Sequence, residues 1–418
     1  MPVCRLLAGM AVFASLVLAL GLACTGAAET MPVDTPAATT DQRSEVDPAQ
    51  GRRTDPGITD DEVLFGQSAA FSGPAAELGH DMRLGIQAAF SEINAQGGVH
   101  GRKLELESLN DSYESDFALS NTHTLIEKQE VFALIGAVGT PTSHAAAPVA
   151  QAAGVPFIAP FTGAEFLRDP QLSTVVNVRA SYHQETEAMV ARLTEDLGVT
   201  GVAVFYQDDS YGRNGLEGAQ AALKRRGLEP LVSWSYPRNT IAVKAATLRI
   251  AEADPEAVIM IGAYAPVSRA IELLRRDIDP IFMTVSFVGS HALAEELGDD
   301  TKGVYVTQVV PLPDDGDIPL VARYHAALSE FDPGAGPGFV SLEGYLAGRL
   351  AIAGLEACGP NLSRDCFLRS LKDAGTIDID GIPLEYGPDD NQGSDAVFLT
   401  SIGADGKYDQ VDSLHGAN

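Results

Sequence analysis

Positive charge is scarce in this sequence. Only 28 Lys and Arg stand against 57 Asp and Glu, a formal net charge of −29. Such a chain repels phosphate backbones and anionic lipid headgroups, which argues against nucleic acid as a partner. The acidity otherwise serves solubility and says little about the fold. Cysteine is scarce too, with Cys4, Cys24, Cys358 and Cys366 in 418 residues. No Cys-x-x-Cys occurs, which argues against a zinc ribbon or a thioredoxin-type redox motif. Gly-x-Ser-x-Gly, His-Glu-x-x-His and Walker A sequences are also missing, so nothing points to a serine hydrolase, a zinc protease or a P-loop enzyme. We therefore expect no enzyme activity, no cofactor and no metal. His183, Glu185 and Glu187 lack a second histidine at matching spacing; they read better as the acidic first turn of a helix.

Apolar residues make up 45% of the chain and charged residues 20%. That balance supports a sizeable core, and the length suits two or three domains or one two-lobed unit. Long apolar runs are confined to the N-terminus. Arg5 precedes an apolar stretch from Leu6 to Ala23, and Cys24 closes it. This is the pattern of an export signal over residues 1–24. Leu20-Gly21-Leu22-Ala23-Cys24 resembles a bacterial lipoprotein cleavage box, in which Cys24 becomes the lipidated mature N-terminus. An ordinary cleaved signal and an uncleaved anchor are the alternatives. Residues 25–56, rich in Ala, Thr, Pro and Asp, carry too little apolar surface to offset ordering and read as a flexible tether. Membrane attachment is thus expected through a lipid anchor alone, on the periplasmic or cell-surface side. In such an oxidising compartment Cys358 and Cys366 suit a local disulfide across a helix-to-helix turn; two separate thiols are the other reading.

Beyond the tether, strands and helices alternate. Glu62–Gln67 reads as a strand, and Leu78, Met82, Ile86, Phe90 and Ile93 recur at helical spacing. Gly97-Gly98 stops that helix. Further strands read at 104–109, 132–137, 156–160, 202–206, 257–262, 282–286, 303–309 and 396–401. The alternation predicts an α/β fold with parallel sheets covered by helices on both faces. Roughly ten strands exceed one small doubly wound sheet, which favours two lobes. Ligands in such folds bind beyond the carboxyl ends of strands. The segments there are 68–74, 139–143, 161–165, 208–212, 263–265 and 286–290, rich in hydroxyls, glycines and rings. Tyr211-Gly212-Arg213-Asn214-Gly215 follows a strand and opens a helix, but its glycine spacing does not fit a dinucleotide loop. Gly139-Thr140-Pro141-Thr142-Ser143 begins a helix, where hydroxyls and free amides either bind an anion or merely cap the helix.

Several of these segments resemble the type 1 periplasmic solute-binding proteins of ABC transporters, in the leucine/isoleucine/valine-binding family. They are Phe71-Ser72-Gly73-Pro74 with Leu78-Gly79, the run from Glu92 to Leu104, Ala133–Gly136 leading into Thr140–Ser143, Gly154–Pro160, and Asp209-Ser210-Tyr211-Gly212. The resemblance covers about residues 60–410. It implies two doubly wound lobes joined by three hinge crossovers, with a small-molecule solute held between them and an ABC permease as partner. A ligand-sensing receptor with a separate signalling partner is the alternative role. The implied boundaries are 57–179 and 312–394 for one lobe, 180–311 and 395–418 for the other. The resemblance further implies ligand contacts from Ser72, Thr140, Thr142, Phe161, Thr162, Tyr182, Tyr211, Tyr264, Ser286, Phe339 and Glu343. Two departures stand out. Ser286 occupies the place of the carboxylate that usually holds a ligand ammonium, and Leu78 replaces a first-loop aromatic. An amino-acid ligand then requires its counter-charge from Glu343, Asp208 or Asp209.

Overall fold

Ala257–Ile261 is an unbroken apolar run with every side chain buried. Such a run belongs in the middle of a sheet covered on both faces. The computed structural model describes residues 55–415. The expected signal segment, Cys24 and nearly all of the tether lie outside the described residues.

The first sheet is built from β1 (Glu62–Ala69), β2 (Lys103–Asn110), β3 (Ala133–Ile135), β4 (Phe157–Ile158) and β5 (Val175–Val176). It has the order β2-β1-β3-β4-β5 and is parallel throughout. Helices α1 (Ala76–Ala95), α2 (Ser115–Glu127) and α3 (Thr140–Ala153) connect its strands. The anticipated stripe of α1, from Leu78 to Ile93, is buried. Gly97 and Gly98 both take positive φ after it. A Cβ on Gly98 would lie 2.0 Å from the Arg102 carbonyl, so the stop requires glycine.

The chain then crosses into a second lobe. α4 (Tyr182–Ala191) opens with a capping box between Ser181 and Gln184 and continues as a π-helical turn over Arg192–Asp196. β6 (Val202–Gln207), α5 (Ser210–Arg225), β7 (Val232–Tyr236), α6 (Lys244–Ala253), β8 (Ala257–Ile261), α7 (Tyr264–Leu274), β9 (Ile281–Thr284), α8 (Ser290–Leu297) and β10 (Val304–Gln308) follow. A second crossover returns the chain to α9 (Pro319–Phe331), α10 (Phe339–Cys358), α11 (Arg364–Lys372) and the hairpin β11 (Thr376–Ile379) and β12 (Ile382–Glu385). The third leads to β13 (Phe398–Ile402) and β14 (Tyr408–Gln410).

The second sheet has the order β14-β13-β10-β9-β8-β6-β7. It departs from the all-parallel expectation, because β13 runs antiparallel to β10 and β14 to β13. β13 arrives from the other lobe rather than through a crossover helix, and β14 follows it through a short hairpin turn, so nothing requires either to be parallel. The sequence reading also missed β5, β7, β14 and the β11–β12 hairpin. β5 is two residues long, and β7 is a partly exposed edge strand with serines between its apolar positions. Cys358, at the end of α10, forms a disulfide with Cys366 in α11.

The first and third crossovers are bonded to each other. The Asn177 amide N–H donates to the Asn391 carbonyl at 2.7 Å, and the Gly393 N–H returns a bond to the Asn177 carbonyl at 2.8 Å. Among the described residues no helix is long and apolar enough to cross a membrane.

Candidate functional site

The carboxyl ends of β3, β4, β6 and β9 and the start of α4 converge where the lobes meet. Strand ends there leave loops whose backbones no longer pair, and helices begin with free amides aimed outward. Gly139 (φ 102°) turns the chain from β3 into α3; Tyr113 packs against it so closely that a Cβ there would lie 2.2 Å from the Tyr113 ring.

Five buried rings meet at this point. Phe287 follows β9 on a single 3-10 turn, Ser286–Val288. Its centroid lies 4.6 Å from Tyr211, 5.3 Å from Phe161, 6.1 Å from Tyr113 and 6.4 Å from Tyr182. Tyr113 and Phe161 come from the first lobe; Tyr211 and Phe287 come from the second. Offset and edge-on ring contacts of this kind add to the gain from burial itself.

Hydroxyls line one side of the rings. Thr140 Oγ1 and Thr162 Oγ1 are 2.7 Å apart, and Thr162 Oγ1 donates to the Tyr182 hydroxyl at 3.2 Å. Burial pushes the Tyr182 phenol up to about 12, so it stays protonated. The Tyr211 hydroxyl donates to the Gly262 carbonyl at 3.3 Å.

A charged cluster lies on the other side. The Arg179 guanidinium is fully buried, 5.1 Å from the Phe161 centroid and 5.8 Å from that of Tyr182. It meets Glu185 at 3.0 Å and Glu343 at 3.5 Å, and it also donates to Ser286 Oγ. Glu185 is well satisfied, accepting from the Ser286 N–H and from Thr307 Oγ1, each at 2.7 Å. Glu343 is not: its Oε1 and the Nε of Arg179 are buried without a hydrogen-bond partner. Burial pushes Glu343 up to about 7 even though Arg179 faces it, and the charge of Glu185 adds to the rise. Arg168 lies beneath the rings, donating to the carbonyls of Thr162, Ala164 and Arg179. Burial, followed by the neighbouring Arg179, lowers it to about 10.

The residues singled out in the sequence divide into two groups. Thr140, Phe161, Thr162, Tyr182, Tyr211, Ser286 and Glu343 all belong to this buried interlobe cluster. Thr142 is buried in the first turn of α3, but its hydroxyl turns back to the carbonyls of Val138 and Gly139. Ser72 is exposed on the first loop, 2.9 Å from Ser112 Oγ. Tyr264 lines a separate cavity of about 430 Å³ with Glu77 and Glu295. Phe339 packs edge-on against Tyr408, 5.4 Å away, beside another cavity of about 320 Å³. Asp208 and Asp209 supply no free charge to the cluster. Asp208 pairs with Arg213 at 2.7 Å on the surface, and Asp209 caps α5 through the N–H groups of Tyr211 and Gly212. Sequence reasoning missed Tyr113, Arg179, Glu185 and Phe287. Glu185 was noticed only as a helix-start acid, and Arg179, six residues before it and just ahead of the helix, was the signal to pair them.

Two α/β lobes with a buried polar and aromatic cluster between them define the class of two-lobed solute-binding proteins. The chain belongs to the periplasmic binding protein family, whose model matches residues 62–407. It is 30% identical over 207 residues to Leu/Ile/Val-binding protein homolog 7 of Brucella abortus (47% of this chain and 51% of that protein). The chain thus spans about half the length of the curated relatives it matches. Among solved structures it is similar to a possible leucine/isoleucine/valine-binding protein from Rhodopirellula baltica, at 40% identity and a TM-score of 0.81, covering 84% of this chain and 96% of that one. A substrate-binding periplasmic protein from Ralstonia solanacearum has 25% identity and a TM-score of 0.79, over 84% and 100% of the two chains. The chain is therefore related to the branched-chain amino acid binding proteins, a family of receptors rather than enzymes, and the family implies an extracytoplasmic location.

Proposed function

We propose that this chain is the solute-capturing component of an ABC transporter, held at the outer face of a membrane through lipidated Cys24. It takes an amino acid or a related small polar solute between its lobes and delivers it, closed, to a membrane permease. The observation that carries this reading is the buried cluster to which both lobes contribute rings and hydroxyls. A solute bound there touches both lobes only when they are shut, so it shifts the population toward the shut form. Moving that ratio from about 1:99 to about 99:1 takes about 5.5 kcal/mol of differential affinity. A few charge-assisted hydrogen bonds and a buried apolar group are of that size.

The test is native mass spectrometry of freshly purified protein for a retained small molecule, followed by calorimetry and small-angle scattering with that solute. We expect compaction on binding, and weaker binding by Thr140→Val with unchanged thermal unfolding. A protein that neither retains a solute nor compacts with any amino acid, amide or organic acid would overturn the reading.

A further inference from the structure

Arg168 stands at the end of the short 3-10 turn Glu165–Arg168, which follows the loop that carries Phe161 and Thr162. A guanidinium has five N–H groups, and here every one is used. Nε donates to Gln392 Oε1 at 2.7 Å. Nη1 donates to the carbonyls of Thr162 at 3.2 Å and Ala164 at 2.9 Å. Nη2 donates to those of Arg179 at 2.9 Å and Ala180 at 3.4 Å. The acceptors are backbone carbonyls and one side-chain amide, none of them charged. They belong to separate segments: the loop after β4, the first crossover and the third crossover. We propose that Arg168 is the pin of the hinge, a positioning residue that keeps these segments in one fixed block while the lobes swing about it.

The place of the block supports this role. The first and third crossovers run side by side here, joined by the bonds between Asn177 and both Asn391 and Gly393. The Tyr386 hydroxyl donates to the Asn177 carbonyl at 3.0 Å, and a Cβ on Gly393 would lie 2.4 Å from that hydroxyl oxygen, so the crossovers have no room to slide. Atoms close to a rotation axis move least. Bonds made there outlast a hinge motion, whereas contacts far from the axis break and re-form.

The block also joins the loop to the second lobe. Gln392 Nε2 donates to Gln184 Oε1 at 2.9 Å, and Gln184 Nε2 donates to Asp395 Oδ1 at 2.8 Å. Gln184 Oε1 accepts as well from the Ser181 N–H at 2.7 Å, the bond that completes the capping box of α4. On the other side the Tyr182 N–H donates to the Gly163 carbonyl at 2.7 Å. The pin thus fastens the loop of Phe161 and Thr162 to the first turn of α4. These two side chains keep their places against Tyr182 at every opening angle, and closure brings only the remaining groups into register. Such preorganisation lowers the ordering cost of binding. A lysine carries its three donors on one atom and lacks the planar fork, so charge alone does not do this work. The role rests on the solute-capture reading, since a guided swing serves a molecule that closes on something.

The test compares the parent with Arg168→Lys, Gln392→Leu and the double variant, all without solute. Amide hydrogen exchange is read by mass spectrometry. Interlobe distances are read by electron–electron resonance between spin labels on Phe117→Cys and Leu248→Cys, which are exposed positions of the two lobes. In Arg168→Lys we expect exchange over 177–184 and 391–395 to quicken roughly tenfold or more, the size of a lost charge-assisted bond. Exchange in β1 and β8 should stay as in the parent, and the distance distribution should widen. Gln392→Leu cuts only the third crossover from the pin and should widen it less. The double variant should be no wider than Arg168→Lys alone, because both changes break one linkage. If Arg168→Lys fails to fold, Gln392→Leu carries the test. Exchange that quickens evenly through both sheets would make Arg168 an ordinary structural residue and overturn the inference. A distribution of parental width in the folded variants would overturn it equally. No solute enters this measurement, so a protein that captures nothing removes the proposed function without changing what these variants report.

Discussion

Glu343 is the weaker of the two carboxylates that share Arg179. Glu185 holds the guanidinium at hydrogen-bond distance and is itself bonded to Ser286 and Thr307, whereas Glu343 faces it at 3.5 Å with one oxygen unpartnered. Burial therefore wins at Glu343 and raises it from 4.5 to about 7. Between those two values the native state binds the proton that the unfolded chain releases. Stability is consequently fullest near the lower value and falls as pH rises toward the upper one. Glu343→Gln keeps the shape and cannot ionise. Relative to the parent it should gain up to about 3 kcal/mol as pH is raised from 4.5 to 7.5, as read by urea unfolding at each pH. Asp81 and Asp111, which burial also raises to about 6, are common to both proteins and cancel in the comparison. Curves that run parallel across the window would refute the raised value. Removing Arg179 instead should be far more damaging, because it leaves two buried carboxylates unanswered.

At the scale of elements, the helices and central strands were legible because their periods are written in apolar residues. The Leu78–Ile93 stripe of α1 and the run Ala257–Ile261 of β8 show this directly. Elements that depend on what they pair with were not legible: β13 and β14 carry no local mark of antiparallel pairing, and β7 is partly exposed. The site divides in the same way. Thr140, Thr162 and Tyr211, which lie in the buried cluster, could be singled out beforehand because strand ends and helix starts are local features. Phe287 and Tyr113 meet only because two lobes close, and residues 174 positions apart leave no periodic trace. The Cys358–Cys366 bridge is intermediate, since its spacing suggested a local link that only the α10–α11 corner makes concrete. A loop of this size should contribute about 2–3 kcal/mol by restricting the unfolded chain. Cys358→Ser combined with Cys366→Ser should lose about that much stability in equilibrium unfolding, with solute binding unchanged because the bridge is at the far end of α10 from Glu343, about four helical turns away. Equal stability of the oxidised protein and the double variant would remove the bridge from the account.

The whole molecule adds a contact that neither lobe possesses alone. Arg238 and Asn239, after β7 of the second lobe, reach across to the segment after β2 of the first. Arg238 pairs with Glu114 and donates to the Tyr113 carbonyl at 3.1 Å, while Asn239 Nδ2 donates to Glu114 Oε1 at 2.7 Å and to the Ser112 carbonyl at 3.2 Å. These bonds join the two lobes at the edge of the cluster, where Arg238 also lies 5.9 Å from the Tyr113 ring, so on the proposed capture reading they favour the shut form. Their strength is limited, because the Glu114 side chain is 40% exposed and an exposed pair is worth about 0.2–1 kcal/mol. That range is enough to matter, since the shut state must remain reversible for a solute to leave. Arg238→Gln should therefore expand the solute-free protein in small-angle scattering and weaken solute binding about 2–5-fold, with the difference from the parent shrinking as salt screens the pair. Glu114→Gln should do the same, and the double variant should be no worse than the sum of one pair lost once. An unchanged radius of gyration in both variants at low salt would mean that closure is set by the ring cluster alone.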